Sequence, residues 1–178
     1  AKGDYFFLKN YLKNFKIKVH SIKLLEIDNI VVSSTEIRKL YEDGDAEKIK
    51  LFLGRFPSVS GNVQKGFSRG RKLGFPTANI SIDESYVMLK NGVYAGRIII
   101  EDGKKSLKSV INVGNNPTFG FRNSLIEVHL LNFDKDIYNK TITVKFMKYL
   151  RPEIKFATSD DLILQINNDI RSAQEYFR

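Results

Sequence analysis

GVYAGRIII (Gly92–Ile100), EDGKKS (101–106) and LKSVINV (Leu107–Val113) together decide the fold class. The first and last runs are apolar, β-branched and of strand length. Asp102-Gly103 between them tolerates the positive φ that a tight hairpin turn requires. The three pieces read as two antiparallel strands. Working outward, Gly61-Asn62-Val63 opens another run upstream, and Leu125–Asn132 and Thr141–Leu150 follow downstream. Strands at near-regular spacing, mostly joined by short turns, predict an antiparallel barrel or sandwich. Ser159-Asp160-Asp161 then predicts a helix start, its acidic first turn suited to the helix dipole. Leu162, Ile166, Ile170, Ala173 and Phe177 would form its apolar face. The second half is therefore expected to be a β-barrel closed or covered by one C-terminal helix.

Upstream of Pro57 the texture differs. Leu8, Tyr11, Leu12 and Phe15 recur near helical spacing, so Tyr5–Phe15 predicts a helix. Ile17-Lys18-Val19-His20 opens an alternation that predicts a short strand ending near Leu25. Ser33-Ser34-Thr35-Glu36 forms a capping box, with Ser33 as N-cap of a helix to about Glu42. Gly44-Asp45 breaks it, and Asp45 caps a further helix through Leu53 that Gly54 stops. This is α/β material, but two helices after one strand do not complete a layered domain.

The 178 residues contain no Cys, which excludes a disulfide scaffold, and no stretch approaches the roughly 20 apolar residues of a membrane-spanning helix. Nothing at the start reads as a signal peptide, so a cytoplasmic location is the default expectation. The chain opens on Ala rather than Met, and a piece of a longer or processed protein is expected. The formal charge is +9. Residues 1–55 carry 11 Lys and Arg against 8 Asp and Glu, and residues 56–178 carry 18 against 12. Such an excess attracts polyanions, but it is spread thinly, with no long basic block. A basic surface that draws in phosphate ligands is favoured over a nucleic-acid or membrane partner.

Three features carry chemistry. In GNVQKGFSRGRKLGFPTAN (Gly61–Asn79), four glycines, Gly61, Gly66, Gly70 and Gly74, interleave with Lys65, Arg69, Arg71 and Lys72. Glycines let backbone N–H groups approach an anion and the cations add charge, so a phosphate cradle is one reading. A plain surface hairpin is the commoner one, and neither a Walker A nor a Rossmann pattern is present. Pro76 then fixes the backbone ahead of Thr77-Ala78-Asn79. Alternation points Thr77 and Asn79 to one side of a strand. Two neutral oxygens suit Mg²⁺, which takes its remaining ligands from waters and phosphates; both could equally cap backbone groups. Finally, Ile126, Val128 and Leu130 alternate with Glu127 and His129. Glu127 thus reads as a carboxylate among apolar neighbours, where burial favours a raised pKa and a general-base role. The alternative is a solvated or paired carboxylate at a sheet margin. His129 reads as structural.

GFSRGRKLGFPTAN, NVGNNPTF (Asn112–Phe119), IEVHLLNF (Ile126–Phe133) and YLRPEIKF (Tyr149–Phe156), in that order and spacing, resemble riboflavin kinase over about residues 56–178. VSSTEIRKLYEDGD (Val32–Asp45) resembles an element of the FMN adenylyltransferase module that precedes the kinase in bacterial bifunctional riboflavin kinase/FMN adenylyltransferases, the FAD synthetases. The resemblance implies a six-stranded antiparallel Greek-key barrel (56–178) with a C-terminal helix. It is preceded by a partial nucleotidyltransferase-like α/β segment (1–55), in which Ser33, Ser34, Thr35 and Arg38 belong to the adenylyltransferase site. The implied reaction moves the ATP γ-phosphate to the 5′-hydroxyl of riboflavin, giving FMN, inside a small closed sheet.

By the same resemblance, Thr77 and Asn79 hold Mg²⁺ or another divalent cation, and Glu127 is the catalytic base. Gly61, Gly66, Ser68, Arg69, Gly70, Arg71, Lys72 and Pro76 join Thr77 and Asn79 around ATP. Asn116, Thr118, Arg122, Glu127, Arg151, Glu153 and Phe156 border the flavin. Asn139 stands where the family commonly has Gly, and Asn tolerates left-handed backbone. No H-x-G-H element is present, since the histidines are His20 and His129. Conversion of FMN to FAD is therefore expected of a longer parent and not of these 178 residues. The competing readings are an inactive flavin- or nucleotide-binding module and a basic nucleic-acid-binding barrel.

Overall fold

The computed structural model describes residues 4–64, 70, 73–83, 85–100, 106–115 and 124–178. They form two compact units, 1–33 and 34–178.

In the first unit, the Asp4 side chain accepts from the Phe7 N–H at 2.8 Å and caps helix α1 (Tyr5–Lys13). Two-residue strands β1 (Glu26–Ile27) and β2 (Ile30–Val31) pair antiparallel. Asp28 and Asn29 both take positive φ, 53° and 62°, the backbone of the tightest hairpin turn. The strand expected over Ile17–Leu25 does not form. Alternation alone makes no strand without a ladder beside it, and the Asp28-Asn29 turn pairs only the residues that flank it.

The second unit begins with α2 (Ser34–Asp43) and α3 (Ala46–Leu53). Asp45 accepts from the Lys48 N–H at 3.0 Å, and Gly54 closes α3 in left-handed backbone at φ 71°, as the sequence predicts. Leu40, Ala46, Ile49 and Phe52 are buried. Glu47 pairs with Lys148 at 3.0 Å, tying α3 to the barrel. The compact units thus part between Ser33 and Ser34, upstream of the change in texture at Pro57.

Strands β3 (Ser58–Gln64), β4 (Ala78–Ile82), β5 (Gly92–Ile100), β6 (Ser106–Asn115), β7 (Ser124–Leu130) and β8 (Thr141–Arg151) close a barrel in the order β3-β4-β7-β6-β5-β8. Every neighbouring pair is antiparallel. The hairpin expected around residues 92–113 is there, with Ile99 opposite Ser106; its Asp102-Gly103 turn lies outside the described residues. Val63, Ile80, Ile98, Ile111, Val113, Ile126, Val128, Ile142, Val144 and Phe146 are buried. Alternation gathers them on the barrel's inner side.

Helix α4 (Ser159–Tyr176) is capped by Thr158, whose Oγ1 accepts from the Asp161 N–H at 3.1 Å. The cap is one residue earlier than Ser159, leaving Asp160 and Asp161 in the first turn, where they suit the dipole. Ala173, Ile170, Tyr176 and Phe177 pack on Val93, Ala95, Val110 and Leu131. The helix therefore covers the outer face of β5 and β6. Thr158→Ala is expected to lower stability by about 1 kcal/mol, measured by urea unfolding, with the barrel intact.

Candidate active site

The site is built by register. Ala78 and Ile80 on β4 are buried, so Thr77, just ahead of the strand, and Asn79 share the opposite, half-buried side. Asn79 lies opposite Gln64 of β3 and Glu127 of β7, and Glu127 lies opposite Asn112 of β6. Asn112 faces Val93 of β5, which faces Arg151 of β8. Residues directly opposite in a ladder share a face. One rung therefore carries Gln64, Asn79, Glu127 and Asn112 in sequence. With opposed Cα atoms about 5 Å apart, Asn79 to Asn112 spans roughly 10 Å.

This band differs from expectation in two respects. Its face is the outer one, because Ile80, Ile126, Val128, Ile111 and Val113 occupy the inside. Apolar side chains fill the inside, and the candidate site residues Asn79 and Glu127 stand on the outer side of the wall. Second, the cross-strand neighbours of half-buried Glu127 are the amide residues Asn79 and Asn112 rather than apolar side chains. A carboxylate flanked by amides has donors within reach in either protonation state.

A cleft of about 260 Å³ is lined by the inner-face residues Val63, Ala78, Val128 and Leu130, and it meets the outer-face band only through Thr77. Pro76, Thr77 and Ala78 form one wall, and the Phe133–Tyr138 segment after β7 forms another. Thr77 is thus common to the cleft and to the Asn79 side of the sheet. His129 Nδ1–H donates to the Pro76 carbonyl at 2.9 Å, and its ring meets Phe75 edge-on at 6.0 Å. This is the structural role expected of His129, since it fixes the backbone that carries Thr77. The Gly70 carbonyl accepts from the Leu73 and Phe75 N–H groups at 3.1 and 2.8 Å, folding that part of the loop toward Pro76.

Gly61 is not brought to this group. It pairs with Ile82, three rungs from Gln64 and Asn79, and a Cβ there would collide with the Ser81 carbonyl. Close strand approach accounts for glycine at that position. Gly66, Ser68, Arg69, Arg71 and Lys72 lie outside the described residues, as do Asn116, Thr118 and Arg122. Ser34, Thr35 and Arg38 are on α2, and Ser33 ends the first unit.

On the other flank, Arg151 Nε and Nη2 donate to the two carboxylate oxygens of Asp169, each at 2.8 Å. Arg151 Nη1 donates to the Pro152 carbonyl at 2.8 Å, and the guanidinium lies over the Phe156 ring at 6.0 Å. Gln165 Nε2 donates to Asp169 Oδ1 at 2.9 Å. Beyond Pro152 the Glu153 carboxylate packs on Gly114, where a Cβ would meet Oε1 at 2.5 Å. Burial pushes the Tyr149 phenol up, with the Arg151 charge opposing it. Asn139 sits at φ 61°, the left-handed backbone that its replacement of Gly implies.

Sequence reasoning missed Asn112 as a neighbour of Glu127, the Phe133–Tyr138 wall, and the Gln165–Asp169 pair. Only the last had a local signal, two polar residues one helical turn apart on the otherwise apolar face of α4.

Residues 53–177 match the family model described as riboflavin kinase. The chain belongs to the riboflavin kinase family. It is 39% identical over 169 residues to the bifunctional riboflavin kinase/FMN adenylyltransferase of Buchnera aphidicola from Schizaphis graminum, covering 94% of this chain and 53% of that protein. The Haemophilus influenzae protein of the same description is 34% identical over 176 residues, covering 99% and 56%. The chain thus spans about half the length of these relatives. Among solved structures, a Streptococcus pneumoniae protein described as a macrolide-efflux protein superposes with a TM-score of 0.85 at 30% identity, over 97% of this chain and 55% of that one. Riboflavin kinase from Trypanosoma brucei shares the fold, with a TM-score of 0.52 at 21% identity over 67% and 78%. Among the described residues no helix is long and apolar enough to cross a membrane.

A divalent cation fits this donor set. No cluster of three or more His, Cys, Asp or Glu side chains that could hold a metal ion exists among the described residues. The hydroxyl of Thr77 and the amide oxygen of Asn79 suit Mg²⁺ that takes its other ligands from phosphates and water.

Proposed function

We propose that the chain is an ATP:riboflavin 5′-phosphotransferase and that the Asn79–Glu127–Asn112 rung is where the phosphate changes hands. The observation that carries this reading is Asn79 directly opposite Glu127. A neutral oxygen ligand and a carboxylate stand one strand apart on the outer face, and Thr77, on the same side of the chain as Asn79, also lines the cleft. Phosphoryl transfer asks a protein mainly for positioning and charge stabilisation, plus a group to receive the hydroxyl proton.

Thr77 and Asn79 hold Mg²⁺, which when bound neutralises charge on the phosphate oxygens. The nucleotide occupies the cleft walled by Pro76–Ala78 and Phe133–Tyr138, with the Gly66–Lys72 loop over its phosphates. Riboflavin lies on the Asn112 side, bordered by Glu153 and Phe156 and by Asn116, Thr118 and Arg122. Glu127 accepts the proton of the 5′-hydroxyl as the new O–P bond forms. The bond from the γ-phosphorus to the bridging oxygen breaks, and ADP leaves.

The barrel follows the family's Greek-key path. Residues 1–55 correspond to the end of an adenylyltransferase domain in longer relatives and, without an H-x-G-H element, give no FAD.

Incubation with Mg-ATP and riboflavin, followed by chromatographic separation of flavins, is expected to yield FMN and no FAD. A folded chain that yields no FMN sinks the proposal. Asn79→Ala is expected to raise the Mg²⁺ concentration for half-maximal rate by about tenfold, roughly the effect of one lost ligand interaction. Unchanged metal dependence would show that the ion is held elsewhere.

A further inference from the structure

Asp169 is 5% exposed, and both its carboxylate oxygens are used, Oδ1 by Arg151 Nε and Gln165 and Oδ2 by Arg151 Nη2. Charge-assisted, bidentate bonds of this kind fix orientation as well as adding energy. Arg151 is the last residue of β8 and lies opposite Val93, on the rung that leads through Asn112 to Glu127. Its third donor, Nη1, holds the Pro152 carbonyl, and its face lies over Phe156. Arg151 therefore hydrogen-bonds the start of the short segment Pro152–Phe156 and lies over its last residue, and Asp169 holds Arg151. That segment carries Glu153 to Gly114, two residues from Asn112. The arrangement makes α4 the anchor for the wall on the Asn112 side of the site, while the cleft walled by Thr77 and Phe133–Tyr138 has no part in it.

We propose that Asp169, supported by Gln165, is a positioning residue for the alcohol substrate. By locking Arg151 it sets the path of Pro152–Phe156 beside Asn112 and Glu127, and so governs riboflavin affinity without touching riboflavin. The inference rests on the proposed phosphotransferase function. It adds a split between the two substrates, because the nucleotide wall is built from other elements.

Steady-state kinetics of Asp169→Asn and Gln165→Leu in the 178-residue chain test it, with riboflavin and ATP varied separately. Riboflavin dissociation constants come from quenching of flavin fluorescence. Asp169→Asn is expected to raise the riboflavin KM and Kd about tenfold, and Gln165→Leu about two- to threefold, with the ATP KM changed less than about twofold. A purely structural role would reduce the folded fraction, lowering kcat and leaving both KM values as they were. A folded Asp169→Asn with unchanged riboflavin KM, or with both KM values raised alike, overturns the latch. If Asp169→Asn does not fold, Gln165→Leu decides by the same split. A wild-type chain that makes no FMN overturns the function and the latch together, whereas an active wild type with unaltered variants overturns the latch alone.

Discussion

Glu127→Gln is expected to lower kcat for FMN formation by about 10²- to 10⁴-fold, the usual worth of a positioned general base, and to leave ATP affinity nearly unchanged. The substitution keeps the size and one acceptor oxygen of the side chain and removes its basicity. Asn79 and Asn112 flank the position from both neighbouring strands, and an amide fits between amides without repacking the sheet. The fall should therefore appear in kcat rather than in stability or ATP binding. Single-turnover rates with saturating Mg-ATP make the measurement. A near-normal rate would mean that another group, or solvent, takes the proton.

The largest stability effect is expected at Asp169. Its ion pair with Arg151 is largely withdrawn from water, with side-chain exposures of 6% and 16%. Removing one member of a buried pair leaves the other charge desolvated and uncompensated, which typically costs about 3–5 kcal/mol. Asp169→Ala should therefore lower the unfolding midpoint by roughly 6–20 °C in a domain of this size, measured by circular dichroism. The double variant Arg151→Met/Asp169→Leu should recover most of that loss, because an apolar pair replaces the ionic one without stranding a charge. A single variant as stable as wild type would show that solvent reaches Arg151.

Which candidate residues share a face was legible one strand at a time. Alternation is a local property of the backbone, so Pro76-Thr77-Ala78-Asn79 alone places Thr77 and Asn79 on one side of the strand and Ala78 on the other. The same rule sets Glu127 and His129 against Ile126 and Val128. Turn chemistry likewise put Asp45 and Gly54 at the ends of α3. Where the local reading failed, the missing information was a partner. Ile17–Leu25 alternates like a strand but has no ladder beside it. The neighbours expected for Glu127 were its own chain neighbours, whereas a strand residue's closest companions lie across the ladder.

The sequence by itself determined the barrel strands, which residues share a face, the C-terminal helix and the family, because periodicity, turn residues and ordered motifs are all written along the chain. Which of the two faces is the inner one was decided by closure of the barrel. Tertiary structure alone decided which strand lies beside which. Closure in the order β3-β4-β7-β6-β5-β8 places residues 79, 127 and 112 on one rung. Packing α4 on β5 and β6 carries Asp169 to Arg151. Pairing register and helix docking are fixed by burying one continuous core, and that free energy belongs to the assembled barrel rather than to any segment of it.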